Sequence, residues 1–121
     1  MFEAIRGATS VENDCPKEII DKSKELIENI VKQNKINRII SVILSVTNDI
    51  KSFNPATVIR KYLNIDNLSI MCFQEAYFTN SPEKIIRIIV NCESDTKKFV
   101  YLHRAANLRK NALEKFNRES V

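Results

Sequence analysis

The stretch Ile85-Ile86-Arg87-Ile88-Ile89-Val90 sets a permanent positive charge inside a run of β-branched residues. Such a run reads as a strand buried on both faces. Side chains alternate along a strand, so Arg87 shares a face with Ile85 and Ile89, while Ile86, Ile88 and Val90 take the other. A guanidinium keeps its charge and is costly to bury alone. It therefore needs an anion, either a carboxylate of the protein or one brought by a ligand.

The remaining elements follow from patterning. Phe2 to Ile5 is a short apolar strand that runs into Arg6-Gly7-Ala8-Thr9. Gly7 is the only glycine among 121 residues, so that spot demands either backbone freedom or close approach. Arg6 is thereby expected at a strand end beside a tight backbone, a good location for a binding group. Pro16 suits the first position of a helix whose apolar stripe is Ile19, Ile20, Leu26, Ile27, Ile30 and Val31, with Asn34 and Asn37 ending it. Arg38 to Val46 is a second, almost continuously apolar strand, closed by Thr47-Asn48-Asp49. Pro55 to Leu63 is a short second helix, and Leu68 to Phe73 a third strand ending in Gln74-Glu75. After the turn Asn80-Ser81-Pro82 comes the Arg87 strand, then a polar turn at 95–98 and a fifth strand at Phe99 to Leu102. The order β, α, β, α, β, β, β predicts an α/β chain of α+β-like character, with a mixed five-stranded sheet and helices on one face. Residues 1–110 are expected to form a single domain, and 111–121 a basic, flexible tail with a helical stretch around Ala112 to Phe116. Two helices cannot cover both sides of five apolar strands. A second copy of the chain is therefore expected to cover the other face.

Several function classes lose ground on composition. An apolar share of 44% with 28% charged residues is that of a soluble globular protein. No apolar run is long enough to span a bilayer, and Arg6 and Gly7 interrupt the N-terminus before any signal-peptide core, so no membrane is expected. Cys15, Cys72 and Cys92 are an odd, unclustered set, which argues against a disulfide framework or a zinc site and for a reducing cytoplasm. The net charge of +4 permits anionic partners, but the basic residues are interleaved with Asp and Glu, as on an ordinary solvated surface. Nucleic acid is not an expected partner. The single His103 has no cysteine or carboxylate at ligand spacing, so no metal is expected. Nucleophile-elbow, phosphate-loop and dinucleotide motifs are all missing. Cys72, in an apolar strand without a nearby histidine, reads as core. What remains is a set of arginines, Arg6, Arg60, Arg87 and Arg109, with Glu75 at a strand end and Tyr101 in a strand. Several guanidiniums with few acidic partners suit a small ligand bearing more than one carboxylate. The alternative is that Arg87 pairs with Glu75 as a structural bridge.

The segments Ala4-Ile5-Arg6-Gly7-Ala8-Thr9-Ser10-Val11-Glu12, Leu44-Ser45-Val46-Thr47 with Asp49, Pro55-Ala56 followed by Arg60, Cys72-Phe73-Gln74-Glu75, Ile86-Arg87-Ile88, and Val100-Tyr101-Leu102 with Leu108-Arg109 resemble the monofunctional α/β-type chorismate mutases. This is the small trimeric class, not the all-helical one, and the resemblance runs from about residue 3 to 110. It implies a trimeric pseudo-barrel with active sites between subunits, and the Claisen-type [3,3] rearrangement of chorismate to prephenate on the route to phenylalanine and tyrosine. It implies no cofactor: a pericyclic reaction needs only a folded substrate and stabilisation of the charge that develops as the ether bond breaks.

The resemblance also implies roles. Arg87 would donate to the ether oxygen. Glu75 would accept from the ring hydroxyl near the positive side of the separating charge, with the Cys72 region helping to hold that hydroxyl. Arg6 and Tyr101 would hold a substrate carboxylate, and Met71, Cys72, Phe73, Gln74 and Glu75 would line the pocket. Arg60 and Arg109 would come from the neighbouring subunit and close the mouth. Two positions depart from the family pattern. Asn54, with Phe53 before it, stands where relatives often have an aromatic, and Thr57 where some have lysine. A non-catalytic trimer that senses a small anionic metabolite is the rival reading, and nucleic-acid binding through the basic tail rests on charge alone.

Overall fold

A computed structural model describes residues 1–108. The tail expected at 111–121, its helical stretch and Arg109 lie outside the described residues. The elements are β1 (Phe2–Ser10), α1 (Pro16–Gln33), β2 (Ile36–Val46), α2 (Pro55–Leu63), β3 (Ser69–Gln74), β4 (Ile85–Ser94) and β5 (Val100–Tyr101), followed by a 3-10 turn at His103–Asn107. They form one five-stranded sheet in the order β3-β2-β4-β1-β5. The central strand β4 is antiparallel to β1 and β2, while β2–β3 and β1–β5 are parallel. The sheet is therefore mixed, as expected.

The helices form where the sequence offers starts and stops. Pro16 occupies the first turn of α1, with Glu18 beside it, where a missing N–H costs nothing and a carboxylate meets the positive helix end. In α2 the Asn54 side chain accepts from the Ala56 N–H (2.9 Å), and Asn64 ends the helix in the left-handed region at φ 50°. The departure at Asn54 thus supplies a helix cap. Buried Ile19, Leu26, Ile27 and Ile30 of α1 and Ile59 of α2 pack in one cluster with Ile5, Val42, Leu44, Ile86, Ile88 and Val90 of the sheet.

β1 is longer than the apolar pattern suggested. It runs through Gly7 to Ser10, paired with β4 along its whole length from Phe2↔Glu93 to Ser10↔Ile85. Arg6 accordingly lies mid-strand and not at a strand end. Gly7 has no positive φ. A Cβ there would meet the Val100 carbonyl oxygen at 2.9 Å, Ile30 Cδ1 at 3.0 Å and Ile88 Cγ2 at 3.2 Å. Close approach of α1 and β5, not backbone freedom, is what requires glycine.

Asn34, the buried residue that ends α1, ties the helix to the β4–β5 connection. Its amide donates to the carbonyls of Ile30 (3.0 Å) and Lys98 (2.9 Å), and its oxygen accepts from Thr96 Oγ1 and the Lys98 N–H, both at 2.8 Å. Only an amide supplies both roles. Asn34→Asp keeps the shape but loses the donors, leaving two carbonyls unpaired next to a carboxylate, and should cost about 2–3 kcal/mol. A urea melt of the variant against the parent measures it, and an unchanged midpoint would dismiss the network.

Contrary to the reading from composition, β2 and β4 are not buried on both faces within this chain. Both helices lie on one side, and β4 alternates buried with half-buried positions along most of its length. On the other, outer face Met71, Phe73 and Ile43 are 60%, 49% and 42% exposed. Among the described residues the two helices cover only one face.

Candidate active site

Register decides what meets on the outer face. Reading across the sheet, Phe73 of β3 pairs with Ser45 of β2, Ser45 with Arg87 of β4, Arg87 with Ala8 of β1, and Ala8 with Tyr101 of β5. The next row is Met71, Ile43, Ile89 and Arg6. Directly paired residues share a face, so both rows project to the same side. Arg87 stands at the centre of the first row with the small Ser45 and Ala8 on either side. That leaves room above the sheet. A cleft of about 420 Å³ opens there, lined by Arg6, Arg87, Tyr101, Ser45, Pro82 and Leu108 among others.

Arg87 and Ser45, which line the cleft, join Glu75 in a three-strand network. Arg87 Nε lies 2.8 Å from Glu75 Oε1, and Ser45 Oγ donates to the same oxygen at 3.0 Å. The Glu75 N–H donates to the Val46 carbonyl at 2.7 Å, so pairing continues one residue past β3 and sets where the carboxylate emerges. β3 and β4 are not neighbours, and Arg87 reaches Glu75 across β2 over the short Ser45 side chain. The internal ion pair thus exists in this chain. Both side chains are partly open to solvent, so it contributes little to stability. Its geometry has another effect. The guanidinium uses Nε for Glu75, and among the described residues its two terminal nitrogens have no hydrogen-bond partner. Glu75 likewise places both contacts on Oε1. The pair orients both groups and leaves donors on one and an acceptor oxygen on the other.

Arg6 lines the same cleft, with its guanidinium 4.6 Å from the centre of the Phe99 ring. Tyr101 and Leu108 are held at its rim by a small cluster on Ala8, Ile85 and Ala105. The Leu102 N–H donating to the Ala8 carbonyl (2.9 Å) fastens that segment.

Two residues expected to line the pocket face the other way, and Arg60, expected to serve a neighbour's cleft, lies outside its own. By the β3 register Cys72 and Gln74 belong to the rows of Leu44 and Val46, whose side chains face the helices. Cys72 packs on the core, and burial pushes its thiol up, away from reactivity. Arg60 donates to the Leu68 carbonyl (3.2 Å) at the start of β3 and does not line the cleft. Thr57 lines a separate groove between α1 and α2 with Phe53, Ile20 and Tyr62. Met71 and Phe73 do share the face of Arg87. Ser45, Ala8, Pro82 and Leu108 were not singled out as site residues. Period-two alternation pointed to Ser45 and Ala8 only once their partners across the strands were known. Among the described residues no group of His, Cys, Asp and Glu could hold a metal ion, and no helix is long and apolar enough to cross a membrane.

Comparison with known proteins places this geometry. The family model for chorismate mutase type I matches residues 2–112. The chain is 33% identical to chorismate mutase AroH of Bacillus subtilis over 115 residues, covering 90% of this chain and 91% of that protein. It is 30% identical to chorismate mutase AroH of Thermus thermophilus over 116 residues, covering 90% and 94%. The solved chorismate mutase from Clostridium thermocellum superposes with a TM-score of 0.80 at 31% identity, covering 88% of this chain and 99% of that one.

Proposed function

This chain belongs to the type I chorismate mutase family and is a chorismate mutase; we propose that the outer-face cleft around Arg87 is where it converts chorismate to prephenate. The observation that carries the assignment of the cleft is the oriented Arg87–Glu75 pair, with its open guanidinium nitrogens, beside Arg6 and Tyr101. In the rearrangement the ether C–O bond of chorismate breaks as a C–C bond forms, within one molecule and with no proton transferred. Negative charge grows on the ether oxygen. A terminal nitrogen of Arg87 donates to that oxygen, and a preorganised donor acts more strongly on the transition state than on the ground state. The second oxygen of Glu75 accepts from the ring hydroxyl. Arg6 and Tyr101 hold a carboxylate, which keeps the substrate folded with its reacting ends together.

The cleft is open on one side in a single chain, and its surroundings are apolar. We infer that three copies pack these faces together as a homotrimer, and that Arg60 of one subunit closes the mouth of its neighbour's cleft. The exposed Met71, Phe73 and Ile43 support this, since such a patch marks an interaction surface. Arg60 does not line its own cleft, which leaves it available to a neighbour's. The free thiols fit a reducing, cytoplasmic location, and the product fits aromatic amino-acid biosynthesis.

The test is direct. Purified protein mixed with chorismate should remove the diene absorbance and yield prephenate. Binding without turnover would favour the metabolite sensor instead. Size-exclusion chromatography with mass detection should give about three times 14.0 kDa. A monomer that turns over chorismate would overturn the intersubunit arrangement.

A further inference from the structure

We propose that Phe99 is a positioning residue for the reaction: its ring holds the Arg6 guanidinium so that this group meets a substrate carboxylate with its orientation already set. The inference rests on the reading of the cleft given above and deepens it. Arg6 and Phe99 immediately precede Gly7 and Val100, which are paired in the parallel β1–β5 ladder. The two side chains therefore leave adjacent strands at the same level. The guanidinium carbon lies 4.6 Å from the ring centroid, well inside the range in which the negative face of a ring attracts a cation. Among the described residues Arg6 makes no ion pair with a carboxylate. A stacked guanidinium keeps its N–H edges open, whereas one paired with a carboxylate spends two of them. Stacking thus restrains the side chain without using the groups that bind an anion.

Phe99 is suited to act as a fixed surface. It is partly buried and packs against the main core cluster, so its own position does not depend on ligand. Arginine in solution samples many rotamers, and ordering it on binding is a cost that prior ordering removes. The ammonium of Lys97 stands 5.8 Å from the same ring.

The experiment is a double-mutant cycle read in steady-state kinetics with chorismate. Phe99→Leu removes the ring and keeps an apolar side chain in the core. It should raise KM about five-fold, the factor expected for one exposed-to-partly-desolvated cation–ring contact, while kcat changes by less than about two-fold, as for loss of binding shared by ground and transition states. Phe99→Tyr, which keeps the ring face, should restore the parental KM. In an Arg6→Ala background Phe99→Leu should add nothing further to the loss of kcat/KM, because the group it acts through is gone. If Phe99→Leu does not fold, Phe99→Met is read by the same criteria. An unchanged KM in the variant without the ring overturns the inference. So does an equal loss in the Arg6→Ala background, or failure of Phe99→Tyr to rescue, either of which would reduce Phe99 to a core anchor. Absence of turnover in the parent chain overturns the reading of the site itself, and the two failures are thereby distinct.

Discussion

Arg87→Ala should lower kcat/KM for chorismate by on the order of 10³-fold, and Arg87→Lys by on the order of 10²-fold. The first change removes the proposed donor to the ether oxygen and the charge behind it. The second keeps a charge, but a lysine has no Nε to engage Glu75 while other nitrogens remain free for the ligand. That distinction follows from the geometry. Among the described residues one nitrogen of the guanidinium meets Glu75 and the other two have no partner. Glu75→Gln should then lower turnover less than Arg87→Ala does, since an amide oxygen can still accept from Arg87 and from Ser45. In the double variant the two losses should be far from additive, because the residues act as one unit. Circular dichroism should show the variants folded, as the pair is partly open to solvent and contributes little to stability. Near-parental turnover by Arg87→Ala would remove the mechanism proposed for the cleft.

Gly7→Val should destabilise the fold by about 3 kcal/mol, and Gly7→Ala by about 1–2 kcal/mol, through overpacking. The obstacle decides the size of the effect. Ile30 Cδ1, 3.0 Å from where the new Cβ would stand, belongs to a side chain that can turn away, but the Val100 carbonyl oxygen at 2.9 Å is backbone held in the β1–β5 pairing. Ile30→Val should therefore recover only a small part of the loss in a Gly7→Ala protein. Full recovery would show that the helix, and not the strand, sets the close approach. Denaturant melts at one fixed subunit concentration keep the comparison valid for the proposed trimer. Gly7 stands between Arg6 and Ala8, so a shift of β1 away from β5 would also widen the cleft between Arg6 and Tyr101. Chorismate KM should rise with the loss of stability.

Much of the fold was legible locally. Alternation in 85–90 placed Arg87 and Ile89 on one face, proline and asparagine marked helix starts and stops, and the βαβαβββ order implied a mixed sheet. The strand bounds were less legible. β1 continues through Gly7 because its partner is the full length of β4, and a pairing about 80 residues away along the chain leaves no mark on local pattern. The expectation that β2 and β4 are buried on both faces came from their composition. Composition reports what must eventually be covered, and not by which chain.

The site divides in the same way. Arg87, Glu75, Arg6 and Tyr101 could be picked out by residue type and by resemblance, because a guanidinium in an apolar strand is costly unless something answers it. Cys72 and Gln74 were grouped with their neighbours in one segment, yet alternation sends them to the helix side while Phe73 faces out. Whether Arg87 paired with a protein carboxylate or waited for a ligand could not be decided from the chain read as a line. The sheet order decides it. With β2 lying between β3 and β4 and presenting only Ser45, Glu75 comes close enough to take Nε and no more of the guanidinium. The sequence by itself determined that a charge sits on an apolar face and needs an anion. Only the tertiary structure decided that the protein's own carboxylate aims this charge without consuming it, since lateral register between distant strands is set by long-range hydrogen bonding and not by local pattern.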